Sequence, residues 1–370
     1  MKLVQQDNIG SHYRSAIYQL MDKELNCDFF FGDKVDDIKK MDYSLLSHKV
    51  IETPNKRLGH GFYYQKGVPS LIKADYDTYI FVGETRCLST WLFCLRARLF
   101  HPKKRVFFWS HGWYGKETKL EAFIKKILFR LPNCGSFLYG NYARELMIKE
   151  GFNPDKLYVI HNSLDYDAQL PIRKQLRPLP IYQDHFGNEN KNIVFIGRLT
   201  KVKRFDLLID AVVQLKQKGE TVNVTFIGDG IERQNMERMV EEKGIKNQVW
   251  FYGACYDEKT NAELIYNADV CVSPGNIGLT AMHVLMFGCP AITNDDFSHQ
   301  MPEFEAIQDG LTGTFFHAGD SSSLAETISK WFMVHGDNRE DVRKACYKEI
   351  DEQWTPRYQI DVLKKNLCNK

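Results

Sequence analysis

No stretch of this 370-residue chain offers the ~20 consecutive apolar residues needed to span a bilayer, so a membrane-crossing helix is not expected. The N-terminal MKLVQQDNIGSHYR lacks the apolar core of a signal peptide, and the expected location is the cytoplasm. The nine cysteines (Cys27, Cys87, Cys94, Cys134, Cys255, Cys271, Cys289, Cys346 and Cys368) contain no C-x-x-C pair. Their odd number and scatter argue against a disulfide framework and a structural zinc site. Most lie in apolar segments, where a thiol acts as a small hydrophobe. No helix-turn-helix, zinc-finger or ribonucleoprotein pattern is present, so nucleic acid is not an expected partner. Low-complexity segments and short repeats are also missing.

The length exceeds what one core usually fills and suits two domains. The formal net charge of +2 conceals an uneven distribution. Arg96, Arg98, Lys103, Lys104, Arg105, Lys116, Lys119, Lys125, Lys126 and Arg130 are opposed in that span only by Glu117 and Glu121. With Trp113, Tyr114, Phe123, Ile124, Ile127, Leu128 and Phe129 interleaved, the segment suits an anionic membrane surface. The same pattern fits an ordinary amphipathic helix with a solvated lysine face.

Strand-like and helix-like runs alternate. Strands are expected at Thr78–Val82, Val106–Trp109, Ser136–Tyr139 and Tyr158–Ile160, with helices at Ser89–Leu99, Lys119–Leu128 and Asn141–Glu150. Pro171, Pro178 and Pro180 mark a linker, 169–190, between domains at 1–168 and 191–353. Strands resume at Ile193–Ile196, Val222–Ile227, Val249–Phe251, Val270–Ser273 and Ala291–Thr293. This alternation implies an α/β architecture of mostly parallel sheets covered by helices, with a ligand cleft between two such halves.

Residues 192–217, NIVFIGRLTKVKRFDLLIDAVVQLKQ, carry the clearest chemistry. A buried strand ends at Gly197-Arg198, and a basic loop then opens an amphipathic helix, placing Arg198 and Lys203 at the sheet's carboxyl edge. Two fixed cations beside a helix start outline a diphosphate clamp. Further on, VTFIGDG turns at Gly228, but Arg233 occupies the third glycine position of a dinucleotide fingerprint. The loop Gly275-Asn276-Ile277-Gly278 leads into a helix whose first N–H groups, from Ile277 to Thr280, lack intrahelical acceptors. His111 follows a buried strand in VFFWSHGWYGKE. Asp75-Tyr76-Asp77 and Asp165-Tyr166-Asp167 match a D-x-D metal pattern that often arises by chance, and no metal is expected.

Five blocks together carry a resemblance: VIHNSLD, GRLTKVKRFDLLIDAV, VTFIGDG, VWFYGACYDE and GLTAMHVLMFGCPAIT. In content and order they resemble the retaining glycosyltransferases of family 4, the group 1 type of bacterial polysaccharide biosynthesis. The likeness extends from Tyr158 to about Phe316 and is looser before it. It implies the GT-B fold, two facing Rossmann-like domains with a cleft, and a last helix, 354–370, packed back on the first. It also implies sugar transfer from a nucleotide-diphosphate donor to a glycan or lipid-linked saccharide. The expected setting is cell-surface capsule or lipopolysaccharide synthesis, with retention, without metal or other cofactor, and at the inner membrane face.

By that resemblance Arg198 and Lys203 hold the diphosphate and stabilise it as it leaves, and His111 serves the sugar end; these three are the expected catalytic residues. Gly197, Gly228, Gly253, Tyr256, Asn276, Ile277, Gly278, Leu279, Thr280, His283 and Glu303 complete the expected donor site. The acceptor side falls to His12, Tyr13, Arg14, Trp113 and Tyr114 by position. One departure stands out, because the family's two glutamates are here Gly275 and His283. Asn276 with its following N–H groups, or Glu303 or Glu305, would have to serve the sugar instead. Two alternatives stay open: a GT-B sugar-nucleotide 2-epimerase, whose carboxylate and histidine set finds no match here, and a non-catalytic nucleotide-sugar binder.

Overall fold

The computed structural model describes residues 1–34 and 38–368. It divides into two compact units, Met1–Asp165 with Thr355–Lys370, and Tyr166–Trp354. Residues 35–37, 369 and 370 of the expected domain ranges lie outside the described residues.

The first unit contains β1 (Leu3–Asp7), β2 (Cys27–Gly32), β3 (Val50–Thr53), β4 (Asn55–Gly59), β5 (Phe62–Gln65), β6 (Thr78–Val82), β7 (Arg105–Ser110), β8 (Gly135–Leu138) and β9 (Leu157–Val159). Seven of these form a sheet in the order β3-β2-β1-β6-β7-β8-β9, parallel at every pairing, while β4 and β5 make a separate antiparallel hairpin. Aromatic runs build its strands because both faces are covered. Side chains alternate across the pleat: Phe29, Phe31, Phe107 and Trp109 enter one buried cluster, and Phe30 and Phe108 the other. The last helix, Pro356–Cys368, adds Ile360, Leu363 and Leu367 to the first cluster.

The second unit contains β10 (Lys191–Ile196), β11 (Val222–Ile227), β12 (Val249–Gly253), β13 (Val270–Ser273), β14 (Ala291–Asn294) and β15 (Gly313–Phe316). They form one parallel sheet in the order β12-β11-β10-β13-β14-β15. The segment expected as a linker, 169–190, is instead folded onto this unit. Helix Tyr166–Arg173 keeps Pro171 inside it, helix Ile181–Phe186 follows, Tyr182 is fully buried, and Arg173 pairs with Asp351 at 2.8 Å. The prolines therefore punctuate two short helices and do not mark a free tether.

Candidate functional site

In both sheets the chain leaves one central strand in each direction, and the crevice at that reversal is where open α/β sheets bind ligands. In the second unit the reversal separates β10 from β13. The loops after β10, β11 and β12 pack backbone against backbone. Gly197 N donates to Ile227 O (2.9 Å) and Gly228 N to Gly253 O (2.8 Å). Gly228 has φ +149°, and a Cβ there would lie 1.9 Å from Gly197 O, so the turn has room only for glycine. The expected Gly197, Gly228 and Gly253 thus form one bare edge at which a ligand can approach the main chain.

Lys203 closes the 3-10 turn Lys201–Lys203 and reaches across to the loop after β13. Its Nζ donates to Asn276 O (2.6 Å), Asn276 Oδ1 (3.2 Å) and Ile277 O (3.3 Å). Burial pushes its pKa down from the ordinary lysine value to about 8, with Arg198 acting the same way and Glu303 opposing. Arg198 is exposed on the same loop. The two expected clamp residues therefore differ in burial: Arg198 is exposed, and Lys203 is mostly buried and ties two loops together.

Gly275, where the family carries a glutamate, is no vacancy. Its N–H donates to Lys203 O (2.8 Å), and a Cβ would stand 1.9 Å from Val202 O. Thr293 Oγ1 and Asn294 Nδ2 donate to Gly275 O at 3.1 and 3.0 Å. The lysine turn occupies the space a side chain would need.

The proposal that N–H groups from Ile277 onward replace that carboxylate needs correction at its first member. Ile277 is fully buried, and its N–H donates to Gln300 Oε1 at 2.9 Å, which withdraws it from a ligand. Gly278 (φ +56°) caps helix Leu279–Met286, so the first-turn N–H groups of Leu279 and Thr280 remain orphaned by helix geometry. Thr280 Oγ1 donates to Ile196 O (2.9 Å), joining this helix start to the end of β10. Glu303 is buried in the 3-10 turn Pro302–Ala306. Tyr256 is 95% exposed, so no pocket surrounds it.

His283 brings in a residue that sequence reasoning passed over. Its Nε2 lies 3.0 Å from Glu258 Oε1, and Gln169 Nε2 donates to the same oxygen at 2.7 Å. Burial raises the Glu258 carboxyl pKa, but the bonds from His283 and Gln169 outweigh it and hold the group below its ordinary value. A carboxylate is thus present beside position 283, supplied by a neighbouring helix. Glu258 directly follows Asp257, whose side chain caps helix Glu258–Asn267, in the VWFYGACYDE block already quoted.

In the first unit His111 follows β7, between Tyr114 and Tyr139 at ring-centroid distances of 5.8 and 4.8 Å. Burial first, then the charges of Arg14 and Lys125, lower its pKa to about 4, so the ring is neutral at pH 7. Its Nδ1 is buried with no hydrogen-bond partner among the described residues. The loop it begins is fixed by Lys125, which donates to Gly112 O (3.0 Å) and Glu117 Oε1 (2.6 Å).

Two of the expected acceptor residues are turned inward. Arg14 pairs with Asp7 at 2.7 Å and lies over the Trp109 and Tyr139 rings. Trp113 is 3% exposed and packs on Phe129 and Phe152. His12 is exposed, while Tyr13 and Tyr114 are half-buried. Asp75 and Asp77 are taken up by Lys2, and among the described residues no group of three or more His, Cys, Asp or Glu gathers as a metal site would.

Residues 182–349 match the family model described as glycosyl transferases group 1. An uncharacterised 41.2 kDa protein of the Klebsiella pneumoniae cps region is 28% identical over 233 residues, covering 62% of this chain and 60% of that one. The chain thus spans less than two thirds of that relative's length. The whole chain superposes on the UDP complex of Anabaena HepE (TM-score 0.73, 14% identity, 100% of both chains covered). It superposes equally on WaaB, a lipopolysaccharide outer core galactosyltransferase (TM-score 0.74, 16% identity, covering 100% and 99%). The fold is therefore the expected GT-B class, built from two Rossmann-like units.

Proposed function

We propose that this chain moves a sugar from a nucleoside-diphosphate donor to a saccharide or lipid-linked saccharide, with retention and without a metal, in assembly of a cell-surface polysaccharide. The observation that carries the reading is the bare glycine edge beside Arg198, Lys203 and the start of helix Leu279–Met286. Cleavage of a sugar–phosphate bond builds negative charge on phosphate oxygens, and cations with orphan N–H groups stabilise it as it forms. The UDP bound by the structurally similar HepE and the polysaccharide context of WaaB and the cps-region relative support donor class and pathway. Glu258, held by His283, takes the place of the missing helix carboxylate and accepts from the donor ribose. Neutral His111 cannot protonate a leaving group at pH 7; its ring steadies the sugar cation or orients the acceptor.

A thermal-shift panel of UDP, GDP, dTDP and their sugars tests this. A nucleotide at 100 times its Kd stabilises by about 2.7 kcal/mol, which raises the melting temperature of a unit this size by roughly 5–10 °C. Glu258→Gln, which removes a charge-assisted bond, is expected to weaken that nucleotide about tenfold. A bound donor that is never hydrolysed or transferred would instead make the chain a non-catalytic binder. A panel with no shift at all would end the donor reading.

The membrane reading takes a revised face. Leu128 and Phe129 are buried with Trp113, and Lys104, Arg105 and Lys125 bond inward. Helix Lys119–Phe129 nevertheless exposes Leu120, Phe123, Ile124 and Ile127, one stripe at helical spacing. Leu95, Leu99 and Phe100 of helix Leu88–Phe100 are exposed as well, and Arg98 bonds the carbonyl of Arg130, linking the two helix ends. Among the described residues no helix is long and apolar enough to cross a membrane, so this surface would lie on one. The chain is expected to co-sediment with phosphatidylglycerol vesicles at low salt. Phe123→Glu with Ile127→Glu should weaken partitioning more than tenfold, since each apolar side chain contributes about 1.5–3 kcal/mol on burial. Equal sedimentation of both proteins would remove the assignment.

A further inference from the structure

A parallel sheet meets its reacting ligand at the carboxyl edge, and the first unit carries a cavity of about 440 Å³ at the opposite, amino edge. It opens beside the starts of β8 and β9, lined there by Gly135, Ser136 and Leu157. Gly135 has φ +110°, and a Cβ on it would run into Lys156 O, so bare backbone lets the two strand entries close up. Helix Leu88–Phe100 contributes Arg98 to the lining, and the end of helix Lys119–Phe129 contributes Phe129 and Arg130. The volume is that of a small-molecule site.

Arg98, Arg130 and Lys156 line this cavity, and among the described residues no carboxylate does. Arg98 donates to the carbonyl of Arg130, Arg130 lies over the Phe152 ring at 5.7 Å, and Lys156 Nζ donates to Asn133 O at 2.9 Å. A carbonyl or a ring orients such groups without cancelling their charge, and among the described residues none of the three pairs with a carboxylate. Of the acids nearest in the chain, Glu150 is taken by Lys126 at 2.6 Å, while Glu145 and Asp155 are exposed and outside the lining. The last helix lies on the other face of the sheet: its Leu363 and Leu367 join the cluster of Phe107, whereas Phe129 and Leu157 belong to that of Phe108. Ser136 is only 2% exposed, yet its hydroxyl has no partner among the described residues and is available to a ligand.

The cavity continues into exposed apolar side chains. Leu99 and Phe100 follow Arg98, and Ile127 lies one turn before Arg130. A free anion would need only the cations; a lipid joins a phosphate to acyl chains and answers both features. Guanidinium groups take phosphate in a bidentate fork. With no lining carboxylate to receive an ammonium, choline, ethanolamine and serine headgroups are poorer matches than glycerol. We propose that this cavity holds the phosphate and glycerol of a phosphatidylglycerol headgroup, with the apolar rows of the two helices against its acyl chains. The assignment rests on the membrane reading above and names the lipid it selects.

The full chain is co-sedimented with phosphatidylcholine vesicles carrying equal fractions of phosphatidylglycerol or phosphatidylserine, which have the same surface charge. Phosphatidylglycerol is expected to bind about fivefold tighter, the worth of one cation at a membrane surface. Arg130→Gln with Lys156→Gln should erase that preference. Arg96→Gln with Lys119→Gln, outside the cavity, should weaken both lipids alike and keep it. All four positions are exposed, so the fold is expected to survive each pair. In calorimetry, dihexanoyl phosphatidylglycerol below its micelle concentration should bind about tenfold tighter than inorganic phosphate, because its chains add apolar burial. Equal binding of the two anionic lipids, a preference that survives the cavity pair, or phosphate binding as tightly as the lipid overturns the proposal. A chain that sediments with neither vesicle removes the membrane reading as well, whereas equal sedimentation with both removes the headgroup assignment alone.

Discussion

Gly275→Glu, which restores the residue the family usually carries, is expected to cripple the second unit and not to improve it. The new Cβ would meet Val202 O at 1.9 Å, Lys203 Cα at 2.8 Å and Lys203 C at 2.9 Å, all main-chain atoms that no rotamer change can move aside. Either the lysine turn or the loop after β13 must shift. The loop is gripped by Thr293, Asn294 and Gln300, so the turn gives way and takes the Lys203 tether with it. Overpacking against side chains costs about 1–3 kcal/mol, and a backbone clash exceeds that. A fall in melting temperature of about 10 °C is expected, at roughly 2–4 °C per kcal/mol for a unit of this size. Gly275→Ala should show most of this loss, since the clash begins at Cβ. A variant as stable as the parent, with nucleotide affinity intact, would mean that the two loops do not dock as described.

That expectation depends on something the sequence does not display. The resemblance marks Gly275 as a lost carboxylate; only the main-chain approach of residues 202–203 shows that this glycine and the lysine tether are one arrangement. The second sheet was legible because Ile193–Ile196 is an unbroken apolar run and Val222–Ile227 is rich in β-branched and aromatic residues, as strands buried on both faces tend to be. Strands β1 to β5, ahead of Thr78, have no counterpart in the pattern reading. In β1 the polar Gln5 and Gln6 interrupt any apolar run, yet both are fully buried, and Gln6 Nε2 donates to Gln65 Oε1 at 2.6 Å inside the core. For Arg14 and Trp113 the converse holds: position in the chain places them near the edge, but the Asp7 pairing and aromatic packing turn them inward. Glu258 was missed because its partner His283 lies 25 residues away and only the fold brings them together.

Lys203→Ala is expected to have the largest effect on turnover, about 10²–10³-fold, the usual cost of removing one charge-stabilising donor. Arg198→Ala should cost less, because an exposed guanidinium is better replaced by solvent. The two cations should also differ in their response to pH. With a pKa near 8, Lys203 starts to lose its charge just above neutrality, so nucleoside-diphosphate affinity of the free protein should hold to about pH 8 and then fall. Lys203→Arg, which cannot deprotonate, should remove that break even if it binds less well. Stability moves the other way. The folded pKa lies below the ordinary lysine value of 10.5, so the unfolded chain binds more protons between the two, and stability rises from pH 8 toward 10.5. His111, lowered to about 4, adds stability above its ordinary 6.5 that is lost as pH falls through 4, and it sets no activity limb near neutrality. Donor affinity falling while the fold tightens is the signature of a buried lysine that serves a ligand. A Lys203→Ala protein that transfers sugar at the parent rate from an identified donor would reduce the residue to a tether between two loops.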